Sequence, residues 1–207
     1  MEIVPLNLKV HDYKKVAELI YNTEVELFGL IFGFNKNKAI PLIESCIKLK
    51  HNTFSYRFVK VSLENNKVTG IMITHRGGEV KKLLEDEDFI KVIKFFESFK
   101  LWFYDKFFIE RILTRSSDPS DYYISNLCVD KDYRKKGIGS AFLKSALESA
   151  KNLGCQRVIL DVSINNPQAR KLYEGKNFKV YQTKKASFFG KKAGTFCMEQ
   201  LIVSSKN

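Results

Sequence analysis

The chain is poor in several things, and each lack excludes a class of protein. It has four cysteines in 207 residues, Cys46, Cys128, Cys155 and Cys197. They form no CxxC pair and no short repeated spacing, so neither a zinc site nor a disulfide framework is written into them, and no metal is expected. Three lie inside apolar runs, which suits a reduced thiol acting as a small hydrophobe. No stretch reaches the roughly 18 uncharged apolar residues of a membrane-spanning helix, so no membrane role is expected. The opening Met-Glu-Ile-Val-Pro-Leu-Asn lacks the basic start and long apolar segment of a secretion signal, and a cytoplasmic protein is expected. There is no internal repeat, no low-complexity linker and no block of five or more like charges.

What is present is enough for one packed domain. Hydrophobic residues make up 44% of the chain, far above the composition of disordered segments. At this length one domain, residues 1–207, is expected. Lys and Arg exceed Asp and Glu by 35 − 23 = 12. That surplus attracts polyanions: nucleic acid, anionic membrane or a phosphorylated cofactor. The basic residues are spread along the sequence, which reads equally well as a Lys-rich solvated surface.

Periodicity gives a mixed α/β order of elements with partly antiparallel strands. Glu2 to Val10 reads as a strand, residues 12–22 as a helix, and Lys38 to Leu49 as a second helix with Pro41 in its first turn. Gly29 and Gly33 break up the aromatic stretch from Val25 to Phe34. Tyr56 to Leu63 and Val68 to His75 form a hairpin across Glu64-Asn-Asn-Lys67. Residues 76–118 read as a helical insertion. It opens on Gly77-Gly78, passes an acidic run, Glu85 to Asp88, and continues as an aromatic-rich helix, Phe89 to Phe108. Tyr122 to Val129 is a strand, Gly139 to Leu153 a helix stopped by Gly154, and Arg157 to Val162 a buried strand. Pro167 to Lys176 is a helix capped by Asn166. Phe178 to Phe188 and Thr195 to Val203 close the chain as a hairpin across Gly190 to Gly194.

The sharpest chemical signal lies between the strand ending at Val129 and the following helix: Asp130-Lys-Asp-Tyr-Arg134-Lys135-Lys136-Gly137-Ile138-Gly139-Ser140. A helix start exposes unpaired backbone N–H groups and adds roughly half a positive charge from the peptide dipoles. Gly137 and Gly139 remove side chains that would hold a phosphate away from that backbone. A plain tight turn is the competing reading. Dinucleotide and P-loop sites are disfavoured, since GxGxxG with a distant acid and GK[ST] are both absent.

This loop resembles the [QR]-x-x-G-x-[GA] motif of the GNAT superfamily of N-acetyltransferases, here Arg134-Lys-Lys-Gly137-Ile-Gly139. A second match follows about thirty residues on. Asn166-Pro-Gln-Ala169-Arg-Lys-Leu-Tyr173-Glu-x-x-Asn177-Phe178 is similar to the family's N-x-x-A-x-x-x-Y-x-x-x-G-F, with Asn177 for the usual glycine. The resemblance covers residues 121–189 well and the remainder by order of elements. It implies the GNAT fold, a central mixed and mostly antiparallel sheet flanked by helices.

It also implies acetyl-CoA as co-substrate and acetyl transfer, in a ternary complex, to a primary amine of a small molecule or peptide. The backbone of Leu127, Cys128 and Val129 would pair with the pantetheine arm. The N–H groups from Lys135 to Ser140 would hold the pyrophosphate beside Arg134. Asn166 and Ala169 would meet the pantetheine side, and Tyr173 would protonate the departing thiolate. The family's usual base position falls on Tyr123, and Asp121 is the nearest carboxylate of the same parity. Asp121 is therefore the expected general base, acting directly or through water, with a solvated strand-start carboxylate after Asp118-Pro119-Ser120 as the competing reading.

The acceptor stays open. The acidic run would gather a cationic amine or would simply complement a helix dipole. The aromatic helix would wall an acceptor pocket, pack as core or form a homodimer interface. Rival functions are an acyl-CoA sensor without turnover, and transfer of a different acyl group or to a hydroxyl. A nucleic-acid role is not expected, because no recognition helix, zinc spacing or RNP-like strand is present.

Overall fold

The computed structural model describes residues 1–23, 25, 35–96, 118–188 and 191–202. The aromatic stretch Phe28 to Phe34, and the expected aromatic helix beyond Phe96, lie outside the described residues. The strands are β1 (Glu2–Pro5), β2 (Val59–Glu64), β3 (Lys67–Arg76), β4 (Asp121–Val129), β5 (Arg157–Ser163), β6 (Lys179–Phe188) and β7 (Lys191–Leu201). The helices are α1 (Tyr13–Thr23), α2 (Lys36–Lys48), α3 (Glu79–Leu84), α4 (Glu87–Phe96), α5 (Ile138–Asn152) and α6 (Pro167–Glu174).

One seven-stranded sheet runs in the order β1-β2-β3-β4-β5-β7-β6. Every described pairing is antiparallel except β4 with β5. A parallel pair needs a long crossover, and α5 supplies it. Side chains alternate across the sheet. Ile71, Ile73, Tyr123 and Ile159 join α1 and α2 in one core. Met72, Tyr122, Ile124, Val158 and Leu160 join Phe142, Leu143 and Ala146 of α5 in the other. The sheet is thus covered on both faces.

Local chemistry sets most boundaries. The first strand is shorter than expected because Asn7 starts a turn: its side-chain oxygen accepts the Lys9 N–H at 2.9 Å, and its carbonyl accepts the His11 N–H at 2.9 Å. Asp12 then accepts the Lys14 and Lys15 N–H groups, capping α1. Helix α2 begins before Lys38, at Lys36, because Asn35 caps it. Pro41 consequently lies beyond the first turn. Tyr56 to Phe58, expected as strand, is a 3-10 turn capped by Ser55. Asn65 and Asn66 both have positive φ, as the hairpin turn demands. The closing hairpin is longer than its sequence suggests, since Lys191 to Gly194 pair with β6 instead of forming the turn.

Candidate active site

Strand β4 is paired on one edge throughout and on the other only in part. Against β3 its register runs to Gly70 opposite Val129. Against β5 it stops at Ile124 opposite Leu160. Residues Ser125 to Val129 therefore face a gap where the two parallel strands part. A backbone edge of this kind accepts an extended, amide-bearing chain as an added strand. Leu127, Cys128 and Val129 lie on this segment, where the sequence motif put them.

A bulge sits at the parting point. Ile73 is opposite Asn126 and Thr74 is opposite Ile124, so Ser125 has no counterpart. Its hydroxyl donates to the Ile73 carbonyl at 3.3 Å. One extra residue reverses the facing of everything after it. Tyr123 faces the core containing α1, whereas Leu127 and Val129 pack on the α5 side. Asn126 instead turns toward α1, where its amide donates to the Thr23 hydroxyl at 2.7 Å.

Beyond Val129 the chain enters a short 3-10 turn capped by Asp130, whose side chain accepts the Asp132 N–H at 3.0 Å. Asp130 also receives Lys15 Nζ from α1 at 2.6 Å. That hydrogen bond holds the Asp130 carboxyl below, and the Lys15 ammonium above, its ordinary pKa. Arg134 Nε donates to the Val129 carbonyl at 3.2 Å, fixing the loop to the end of β4. Lys136 lies over the Tyr133 ring and 3.4 Å from Glu64.

The two glycines have different physical reasons. Gly137 has φ +81°, and a Cβ there would meet nothing within 4 Å. It is needed for its backbone conformation, and it opens α5 with no side-chain cap. Gly139 is needed for packing: a Cβ would come within 2.9 Å of Leu172 Cδ2 on α6. Each glycine thus has a structural reason of its own beside the room for phosphate expected of it. Lys135 also has positive φ, 63°. Lys135, Lys136 and Gly137 are exposed, Gly139 and Ser140 are half-buried, and Ile138 anchors the turn in the core. The result is an exposed, uncapped helix start beside three cationic residues, which is anion-binding chemistry.

Helix α6 starts at Asn166, whose side-chain oxygen accepts the Ala169 N–H at 3.1 Å. The cap occupies that oxygen, leaving the side-chain amide as the group that can serve a ligand. The helix ends as its motif requires. Asn177 has φ 64°, and the Phe178 N–H returns to the Tyr173 carbonyl at 3.1 Å. Asn therefore performs the role of the usual glycine. Tyr173 is buried, and that burial, with a contribution from Cys128, pushes its hydroxyl up to about 12. Burial also pushes the Cys128 thiol up to about 11.

Asp121, the expected base, is held by a neighbouring cation. It is 2% exposed at the first residue of β4, the opposite end of the strand from the phosphate loop. Arg157 Nε donates to its Oδ1 at 2.6 Å and Nη2 to its Oδ2 at 3.1 Å. The same guanidinium reaches Glu199 at 2.6 Å. Both carboxylate oxygens are engaged in an ion pair joining β4, β5 and β7. This geometry argues against a base acting on an incoming amine.

A different carboxylate stands at the strand gap. Asp161 is the first residue of β5 past the last pair with β4. By alternation it lies on the face of Ile159 and Tyr123, and the Tyr123 hydroxyl donates to its Oδ2 at 3.2 Å. Tyr181, which has no partner opposite it in the β6–β7 register, belongs to the same cluster. Burial, then Cys197 and Asp161, raise its hydroxyl to about 12. Motif reading missed Asp161. The available signal was a lone carboxylate inside the apolar run Val158-Ile-Leu-Asp-Val162.

The acidic run has a local role. Asp86 accepts the Asp88 N–H at 3.1 Å, and Glu87 and Asp88 occupy the first turn of α4. Among the described residues, no group of three or more His, Cys, Asp or Glu is placed to hold a metal, and no helix is long and apolar enough to cross a membrane.

Residues 50–178, more than half of the chain, match the Acetyltransferase (GNAT) family model. The chain is 43% identical over 63 residues to GCN5-related N-acetyltransferase 6, chloroplastic, of Arabidopsis thaliana, covering 30% of this chain and 22% of that protein. It is 43% identical over 56 residues to N-alpha-acetyltransferase 30 of Xenopus laevis, covering 27% and 20%. The matched stretch spans about a fifth of each relative. Among solved structures, an N-acetyltransferase from Staphylococcus aureus Mu50 superposes with a TM-score of 0.72 at 21% identity, covering 97% of this chain and 100% of that one. Another, described as an acetyltransferase, gives 0.68 at 22% identity, covering 98% and 100%. At such identities the likeness is one of fold.

Proposed function

This chain belongs to the GNAT acetyltransferase family, and on that premise we propose that it transfers the acetyl group of acetyl-CoA to a primary amine, within a single domain. The observation that carries the reading is the half-open β4 edge running directly into an exposed, uncapped helix start. An extended amide-bearing arm followed by a pyrophosphate is the ligand that such a continuous surface fits.

In this reading Leu127, Cys128 and Val129 offer backbone groups to the pantetheine arm, and the N–H groups from Lys135 to Ser140 receive the pyrophosphate. Asn166 and Ala169 flank the arm from α6. The thioester supplies an activated acetyl group, and the protein positions the amine and moves protons. Asp161, held by Tyr123, takes the proton from the attacking amine. Tyr173 gives its proton to the departing thiolate. A phenol at about 12 is a weak acid beside a free thiol at about 8.5. The same burial that raises Tyr173 also raises Cys128 to about 11, so a thiolate leaving into these surroundings is a correspondingly stronger base.

Protein N-termini are the acceptor class to test first, since N-alpha-acetyltransferase 30 is among the relatives. Thiol release from acetyl-CoA, measured with N-terminal peptides, lysine peptides, polyamines and amino acids, tests the proposal. Amine-dependent release that drops at least about a hundredfold in Tyr173→Phe supports it. Release at the wild-type rate in that variant overturns the acid assignment, and no release with any pool overturns the amine-transfer reading.

A further inference from the structure

Two tyrosines flank Asp161 from opposite sides, and they differ in exposure. Tyr123, on β4, is buried and donates to Asp161 Oδ2 at 3.2 Å. Tyr181, on β6, is 40% exposed. Strand register explains how a residue of the outer strand comes to this place. Gln182, Cys197 and Asp161 form one row across β6, β7 and β5, and directly paired residues share a face. Val180 is opposite Met198, which packs with α5 on the other face. Tyr181 falls between the two rows with no counterpart on β7. A bulge of this kind re-aims a side chain, here onto the face of Asp161.

The direction of the ring is set by its partner. The Arg157 guanidinium carbon lies 5.4 Å from the Tyr181 ring centroid. Arg157 belongs to β5, two strand spacings or roughly 10 Å from β6, so the ring leans across β7. Arg157 is itself fixed: Asp121 accepts from its Nε and Nη2, and Glu199 from its Nη1. The ring is thus held in place before any ligand arrives, which lowers the cost of binding against it. Burial, then Cys197 and Asp161, raise its hydroxyl while Arg157 lowers it, in keeping with a ring standing between Arg157 and Asp161.

What the ring can recognise follows from what it already holds. Aromatic faces attract cations, and Arg157 fills that role. A second cation would be brought up against the guanidinium, so the exposed part of the ring suits hydrocarbon. We infer that Tyr181 is a specificity-determining residue, packing on an apolar side chain next to the acceptor amine. This rests on the reading of Asp161 as the base, which sets the amine beside the ring. The ion pairs of Arg157 with Asp121 and Glu199 then hold a substrate-facing ring as well as three strands.

The test is isothermal titration calorimetry, which needs no turnover. The probes are CoA alone and CoA joined through a sulfur-bound –CH2–CO– bridge to the α-amine of Leu-Gly-Gly, Gly-Gly-Gly or Lys-Gly-Gly. The wild type is expected to bind the leucine conjugate about tenfold tighter than the glycine conjugate, the size of effect that burying much of a leucine side chain gives. Tyr181→Phe should keep that preference. Tyr181→Ala, and Tyr181→Thr with its higher strand propensity, should abolish it and leave the affinity for CoA alone unchanged. Equal binding of the leucine and glycine conjugates by the wild type overturns the inference. So does a leucine preference that survives in both variants, a lysine conjugate tighter than the leucine one, or a matching loss of affinity for CoA alone. Those results leave the amine-transfer reading standing, whereas wild-type protein that binds no conjugate better than CoA overturns that reading and the inference with it.

Discussion

Lys15 Nζ lies 2.6 Å from Asp130 Oδ2, so the first helix is tied directly to the residue that opens the loop between β4 and α5. Asp130 also caps that loop through the Asp132 N–H. One carboxylate thus fixes both the loop's conformation and its position against α1.

Asp130→Asn keeps an oxygen for the cap but loses the charge, so it separates these effects. Stability is expected to fall by on the order of 1 kcal/mol, with a severalfold rise in KM for acetyl-CoA and little change in kcat. The pH dependence has a fixed sign. Asp130 has a depressed folded pKa, so its contribution is present above the unfolded value and lost as pH falls through the folded one. Lys15 is raised, so its contribution is lost only at alkaline pH, as pH rises through the folded value. Thermal melts of the wild type and Asp130→Asn should converge at low pH.

The two loop glycines should fail differently. Gly137→Ala forces a positive φ on an L-residue, a cost of about 1 kcal/mol that no second substitution relieves. Gly139→Ala presses on Leu172 and should raise KM for acetyl-CoA by displacing α6 or the loop. Adding Leu172→Ala removes the clash. In a double-mutant cycle the Gly139 effect on KM should shrink at least severalfold, while that of Gly137 should not.

The proposed function makes Asp161 the base and leaves Asp121 as the ion-pair partner of Arg157. Asp121→Asn breaks a buried pair with Arg157 and should cost about 2–4 kcal/mol in urea unfolding, with the pH–rate profile of the remaining folded enzyme unchanged. Asp161→Asn should leave stability within about 1 kcal/mol and lower kcat by about a hundredfold or more. Its pH–rate profile should lose the acidic limb, the low-pH fall that protonation of a general base produces. An unaltered profile in Asp161→Asn would remove it as the base.

His75 is 2% exposed and packs against Phe58 with ring centroids 4.8 Å apart. Neither ring nitrogen has a hydrogen-bond partner of good geometry. Burial, offset only slightly by the Thr53 backbone, pushes its pKa down to about 4. The unfolded chain therefore takes up this proton near pH 6.5 and the folded chain does not. Stability should fall by about 3 kcal/mol as pH drops from about 6.5 to 4. His75→Phe should flatten that slope in a series of melts across this window.

The loop from Asp130 to Ser140, the Asn166 cap, the left-handed Asn177 and the Asn65-Asn66 turn were all legible in the sequence, because each is enforced within a few residues. Hydrogen bonds between near neighbours and the conformational tolerance of Gly and Asn act locally, so local order reveals them. Asp121 shares the facing of Tyr123, as its parity suggested, since the unpaired Ser125 lies beyond both. Its pairing with Arg157 was not legible, because that partner comes from a strand 36 positions away.

By itself the sequence determined the order of elements, the family and the loop between β4 and α5 as a candidate site, since these rest on periodicity and contiguous motifs. Tertiary structure decided the rest. It parted β4 from β5, set Asp161 at that gap, locked Asp121 under Arg157 and matched Gly139 to Leu172. Each of these joins residues 33 to 38 positions apart, or depends on where one strand stops pairing with another. Such relations are fixed by packing and strand register, which no single segment carries.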